Sequence, residues 1–236
     1  MKTLGVIGGL GPAATALFME MVIEMTQAKT DQEHIHMLVD CCPQVPDRTE
    51  YILGRSPQSP APYIINMGKN LAKAGAGLIA VTCITSSYFY SEFEREIPVP
   101  VINMITELKE VLRKAGIKSA GLMATSGTIA SGLFQKAFEE SGMRLILPPD
   151  ELQADVMHVI YENIKAGKPA EMDRFNKVSD ALRKDGAEVI ILGCTELSVV
   201  KRNEKLKGPY LDALEVMARK AVKECADLKA EYEDLI

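Results

Sequence analysis

The chain has 236 residues, 47% of them apolar and 25% charged, and a net charge of −5, which is enough to bury a core in one large or two small domains. Its lysines and arginines are scattered, so no basic stripe for nucleic acid is present, and no apolar run approaches the roughly 18 residues of a membrane helix. Five cysteines, odd in number and irregularly spaced, read as reduced thiols; with an N-terminal apolar run too short and too broken by Gly8, Gly9, Gly11 and Pro12 to be a leader, they point to a cytoplasmic protein.

Thr3–Gly8 reads as a first strand. A glycine turn leads to a helix from Pro12 to about Ala28, with Pro12 at the first helical position, where its missing N–H goes unfelt. A second strand, His36–Cys42, stops at Pro43, and the proline-rich stretch Pro43–Pro62 reads as a long loop of the kind that usually carries function. A helix (about Tyr63–Ala74), the strand Leu78–Thr82, a helix (about Ser86–Glu94), a short strand Val99–Ile102 and a helix (about Thr106–Ala115) follow. The second half restarts with the strand Ser119–Ala124, the loop TSGT, a helix to about Ser141 and the strand Arg144–Leu147. Two helices, about Glu151–Ala166 and Ala170–Lys184, precede the strand Val189–Leu192, and the chain closes with Asp212 and a long amphipathic helix.

Strands alternating with helices make parallel βαβ units, and the halves echo each other. LGVIGGLGPAAT (Leu4–Thr15) and AGLMATSGTIAS (Ala120–Ser131) are both strand, small-residue turn and helix start. GAGLIAVTCIT (Gly75–Thr85) and GAEVIILGCTE (Gly186–Glu196) both begin Gly-Ala and place a cysteine eight residues after the glycine. The expected fold is α/β: two pseudo-symmetric Rossmann-like lobes, each a parallel sheet flanked by helices, with the active site at the lobe interface. The expected boundaries are 1–104 for the first lobe, with 209–236 packing back onto it, and 105–208 for the second.

Cys83 and Cys194 fall where these strands end, the side on which open α/β sheets bind ligands. Two thiols facing one another suit removal of a proton from a carbon alpha to a carboxylate and its return on the other face, the thiolate acting as base and the thiol as acid. Their alternative is burial as packing residues, common for free cysteine. Thr125–Thr128, before a helix, offers hydroxyls and backbone N–H groups to a carboxylate. GGLG (Gly8–Gly11) can do the same but lacks the G-x-G-x-x-G of a dinucleotide site. Cys41 and Cys42, near His34 and His36, have no metal-site register and read as core packing; no metal is expected. His158 reads as a surface or satisfied histidine.

LGVIGGLGPAAT, VPDRT (Val45–Thr49), the Cys83–Thr85 triplet, GLMATSGTIASGLF and ILGCTE (Ile191–Glu196) occur in an order that resembles the aspartate/glutamate racemase superfamily, most of all its aspartate racemase branch. The resemblance spans nearly the whole chain. It implies a cofactor-independent amino-acid racemase that interconverts the L and D forms of an acidic amino acid, aspartate before glutamate, and is commonly a homodimer. Cys83 and Cys194 take the positions of the two catalytic cysteines, and Glu196 that of the residue which is more often His in glutamate racemases. The same resemblance assigns Arg48 and Lys165 to the substrate's carboxylates, and Thr85 and Thr195 to its head group. One departure stands out. The family usually has Cys-Asn-Thr where this chain has Cys83-Ile84-Thr85, so the amide's hydrogen bonds to substrate are lost at Ile84, with a bearing on substrate choice. Two other functions fit the same features: a non-catalytic amino-acid or carboxylate binder, and a related decarboxylase or cis–trans isomerase.

Overall fold

The computed structural model describes residues 1–236. Strand β1 (Leu4–Gly8) is buried along its whole length, as a strand flanked on both faces must be. It turns at Gly9, whose φ of 84° is left-handed and whose missing Cβ would meet the Cys42 backbone at 2.5 Å. Helix α1 (Pro12–Met25) then turns Phe18, Met21, Val22 and Met25 inward. Strand β2 (Met37–Cys41) follows. The stretch expected as loop carries a short helix, α2 (Arg48–Ile52), started by Asp47, whose carboxylate accepts from the Glu50 N–H at 3.0 Å. Next come α3 (Ala61–Lys73) and β3 (Leu78–Val81), then 3-10 turns over Ile84–Phe89 that run into α4 (Tyr90–Glu96), then α5 (Met104–Lys114). Val99–Ile102 shrinks to a single parallel bridge, Val101 to Ile79, because Pro98 and Pro100 remove the donors a ladder needs.

The second half supplies β4 (Ser119–Met123), α6 (Ser126–Ala130), α7 (Leu133–Ser141), β5 (Arg144–Ile146) and α8 (Asp150–His158). A π-helical turn, Val159–Ile164, continues α8 and is closed by Lys165 N–H donating to the Ile160 carbonyl at 3.0 Å. Then follow α9 (Met172–Lys184), β6 (Val189–Leu192), α10 (Thr195–Asn203), β7 (Tyr210–Asp212) and α11 (Ala213–Cys225).

All strand pairs are parallel, in the orders β2-β1-β3 and β5-β4-β6-β7. The opening strand of each half thus lies between the next two, and Val101 stands where β7 stands in the second sheet. The expected α/β architecture of two parallel sheets flanked by helices is what the chain forms. β7 is not marked by hydropathy and extends the second sheet, while α11 packs on α1 and α5. A single core of 32 buried residues takes Leu4 and Val6 from the first sheet, Ala120 and Leu122 from the second, and Leu112, Met217 and Ala221 from the helices between them. The two sheets therefore share one interior. Each also has its own outer cluster, around Ile64, Ile79 and Phe93 in the first and Val156, Phe175 and Ile190 in the second.

The core placement expected for Cys41 does not hold. It is exposed at the end of β2, an edge strand, and Cys42 is partly buried with its thiol 3.4 Å from Gln44 Oε1. His158 is satisfied, its Nε2 lying 2.7 Å from Glu171 Oε1. No helix is long and apolar enough to cross a membrane.

Candidate active site

Cys83 and Cys194 stand just past the ends of β3 and β6, each with extended backbone, each capping the helical turn that follows. Both are buried, and both line one small chamber of about 10 Å³, the room of a single water. Seven of the other sequence-derived candidates line it too: Arg48, Ile84, Thr85, Thr125, Lys165, Thr195 and Glu196. Thr128 stands one layer behind. The hydroxyls of Thr85, Thr125 and Thr128 lie 3.0 Å from one another in a closed triangle. Thr85 comes from the first half and the other two from the second, so the triangle ties the halves together at the chamber wall. Outside it opens a vestibule of about 500 Å³, walled by the Gly9–Ala14 turn, Pro43, Val45, Ile164 and Gly167, and sharing Arg48, Lys165 and Glu196 with the chamber.

Helix α2 aims Arg48 inward. The guanidinium is 6% exposed and donates to three carbonyls: Leu10 at 2.8 Å, Pro46 at 3.1 Å and Val45 at 3.4 Å. Its Nε–H has no protein acceptor. Burial pulls the Arg48 pKa down, but Cys83 and Asp47 beside it pull harder the other way, and the net direction is up. A guanidinium held by fixed carbonyls is a rigid fork, suited to a carboxylate.

Asp47 links the halves. Its carboxylate accepts from the Tyr161 hydroxyl at 3.0 Å and lies 3.7 Å from the Lys165 ammonium, which in turn sits 4.2 Å over the Tyr161 ring. Burial raises the Asp47 pKa, yet the Glu50 N–H, Lys165 and Arg48 outweigh it, and Asp47 stays below its ordinary value. Burial drives the Tyr161 hydroxyl up to about 12. Tyr161 and Lys165 come off the π-helical turn, which twists both toward Asp47; such turns recur at functional sites.

On the other side, the Cys194 thiol donates to Glu196 Oε2 at 2.9 Å, and the Thr195 hydroxyl donates to the same oxygen at 3.3 Å. Burial first, and the Glu196 charge second, push the Cys194 pKa well above its ordinary value. The two sulfurs thus have unlike neighbours: Cys83 has Arg48, whereas Cys194 has both Glu196 and Lys165, with the Glu196 effect the larger. Ile84 is 2% exposed and belongs to the shared core while forming part of the chamber wall. It makes that wall apolar.

Residues 7–221 match the pattern of the Asp/Glu/Hydantoin racemase family. The chain belongs to that family. It is 28% identical over 227 residues to a broad specificity amino-acid racemase of Bacillus subtilis, spanning 93% of this chain and 96% of that protein. Among solved structures it resembles an aspartate racemase of Picrophilus torridus, with a TM-score of 0.88, 29% identity and 98% of each chain covered. An aspartate racemase homologue of Pyrococcus horikoshii superposes with a TM-score of 0.75 at 25% identity, over 95% of this chain and 99% of the other.

Within this racemase fold the sequence reading leaves out Asp47, Tyr161, Leu10 and Thr49, all of which line the chamber. Asp47 had a signal: Asp-x-x-Glu over Asp47–Glu50 is a helix-start pattern, and it marks the helix that carries Arg48. Tyr161 lies four residues before Lys165, one helical turn on the same face. Leu10 contributes a backbone carbonyl, which no side-chain pattern reveals.

Proposed function

We propose that the chain is a cofactor-independent racemase of an acidic amino acid, aspartate ahead of glutamate, with Cys83 and Cys194 as its two acid/base groups. The observation that carries this is the shared chamber: two thiols at equivalent strand ends border one void, with opposite charges set against them. A two-base reaction needs one sulfur deprotonated and the other protonated at rest. Burial, with Glu196 beside it, keeps Cys194 a thiol, and Arg48 stands beside Cys83.

In one direction the Cys83 thiolate takes the α-proton, breaking the C–H bond and forming S–H. The electron pair spreads into the α-carboxylate. The Cys194 S–H then gives its proton to the opposite face, yielding the other enantiomer and a Cys194 thiolate; the reverse reaction exchanges the roles. Arg48 and Lys165 hold the substrate carboxylates and stabilise the added negative charge, a preorganised electrostatic contribution. Thr85 and Thr195 orient the head group, and Thr125 with Thr128 fixes Thr85. The resemblance to an aspartate racemase along the full chain supports the substrate class.

The test is α-proton exchange in heavy water against every amino-acid enantiomer, read by mass spectrometry. Racemisation with solvent deuterium appearing in the product supports the proposal. Thermal protection by an amino acid without exchange makes the protein a binder instead.

A further inference from the structure

Glu196 is 3% exposed, yet only one of its oxygens is used by the protein. Oε2 accepts from Cys194 and Thr195, whereas Oε1 is buried with no hydrogen-bond partner. A Cβ on Gly11 would lie 2.4 Å from Oε1, although the Gly11 φ of −132° suits any residue. The missing side chain at position 11 lets this oxygen lie against the Gly11 backbone in the vestibule wall, which both residues line.

We infer that Glu196 Oε1 receives the substrate's α-ammonium, so that the site takes free α-amino acids and turns away analogues that lack or block that group. The inference rests on the amino-acid reading above and gives the α-ammonium a charged partner beside the Thr85 and Thr195 hydroxyls. The site's other carboxylate is committed: Asp47 accepts from Glu50 N–H and Tyr161 and pairs with Lys165. Geometry adds a consequence. Oε2 holds the proton of Cys194, and the nitrogen on Oε1 is one bond from the α-carbon, so a single carboxylate brings the reacting carbon alongside the acid that protonates it.

The experiment measures binding by calorimetry for two matched pairs, aspartate with succinate and glutamate with glutarate, where the second member keeps both carboxylates and lacks only the amino group. N-acetylaspartate serves as the blocked form. A lost charge-assisted bond at a buried group corresponds to about a 10- to 100-fold weaker Kd for the deaminated member and for N-acetylaspartate. In Glu196→Gln this preference collapses to about threefold or less, and in Gly11→Ala, where the methyl displaces Oε1 alone, it falls about tenfold with the melting temperature kept. Equal wild-type affinity within each pair overturns the inference while leaving the racemase reading intact. So does a Glu196→Gln variant that keeps the wild-type preference. If none of these compounds binds, the reading of the site as one for acidic amino acids falls, and the inference falls with it.

Discussion

Gly127 sets the fit between the two halves. It lies in the first turn of α6, and a Cβ there would stand 2.8 Å from Thr49 Cα and 3.0 Å from Thr49 Oγ1. Two effects of Gly127→Ala oppose each other. Alanine favours helix over glycine by at most about 1 kcal/mol. Against that, Thr49 Cα is main chain and cannot swing aside, so α2 must retreat by about 0.6 Å to reach the 3.4 Å of ordinary contact. Overpacking of this kind costs about 1–3 kcal/mol. The retreat carries Arg48, adjacent to Thr49, and a misplacement of about 1 Å costs on the order of 10²-fold in rate. The expected result is net destabilisation of about 1–2 kcal/mol, with kcat/KM for racemisation down on the order of tenfold. Chemical denaturation and polarimetry of both enantiomers measure these. A variant as stable as wild type, or more so, with unchanged kcat/KM would refute the claim that α2 and α6 are in tight register.

Cys83→Ser and Cys194→Ser each lose racemisation by about 10²- to 10⁴-fold, read as exchange from the L and D forms separately; if both keep wild-type exchange, the two-thiol chemistry is wrong. Tyr161→Phe removes the hydroxyl that reaches Asp47 at 3.0 Å and frees Lys165, raising KM by about tenfold more than it lowers kcat; an unchanged KM shows that Lys165 needs no such anchor. Asp212 is buried, accepts from Ser198 Oγ at 2.6 Å and caps α11 through Leu214 N–H. Burial, and Glu215 nearby, raise its pKa from 3.8 to about 6. The folded state therefore holds this proton more tightly than the unfolded chain, so stability falls as pH rises through about 6, by a contribution of ~3 kcal/mol. Urea unfolding of Asp212→Asn, which keeps the cap, shows that pH-dependent loss removed; parallel wild-type and variant curves between pH 4 and 7.5 rule the assignment out.

The strands that carry the cysteines were legible because a parallel strand buried on both faces is an unbroken apolar run, and both runs end on Cys-x-Thr or Cys-Thr. The turns after β1 and β4 were legible through their small residues. What escaped was short or backbone-made. Five-residue α2 is too brief for hydrophobic periodicity, and only Asp47 and Glu50 signal it. β7 is three residues, buried against Phe175 and Ser179 of α9 and against α11. The π-helical turn departs from α-helical spacing by one residue, which no pattern of side-chain types distinguishes from an ordinary helix. Ile84 was read as a lost hydrogen-bonding group at the site, whereas it is also a core residue, an identity set by three-dimensional packing.

That the sheets share one interior bears on how an amino acid reaches the sulfurs. Prising the halves apart would expose the apolar side chains of α1, α5 and α11 to water, a penalty that grows with every square ångström uncovered. The vestibule offers a route that leaves this interior covered, because the Pro43–Asp47 segment and the Lys165–Gly167 bend border it without belonging to that interior. The approach to the sulfurs thereby runs along the border between the halves, past the Asp47–Lys165 pair, with the scaffold behind it left whole.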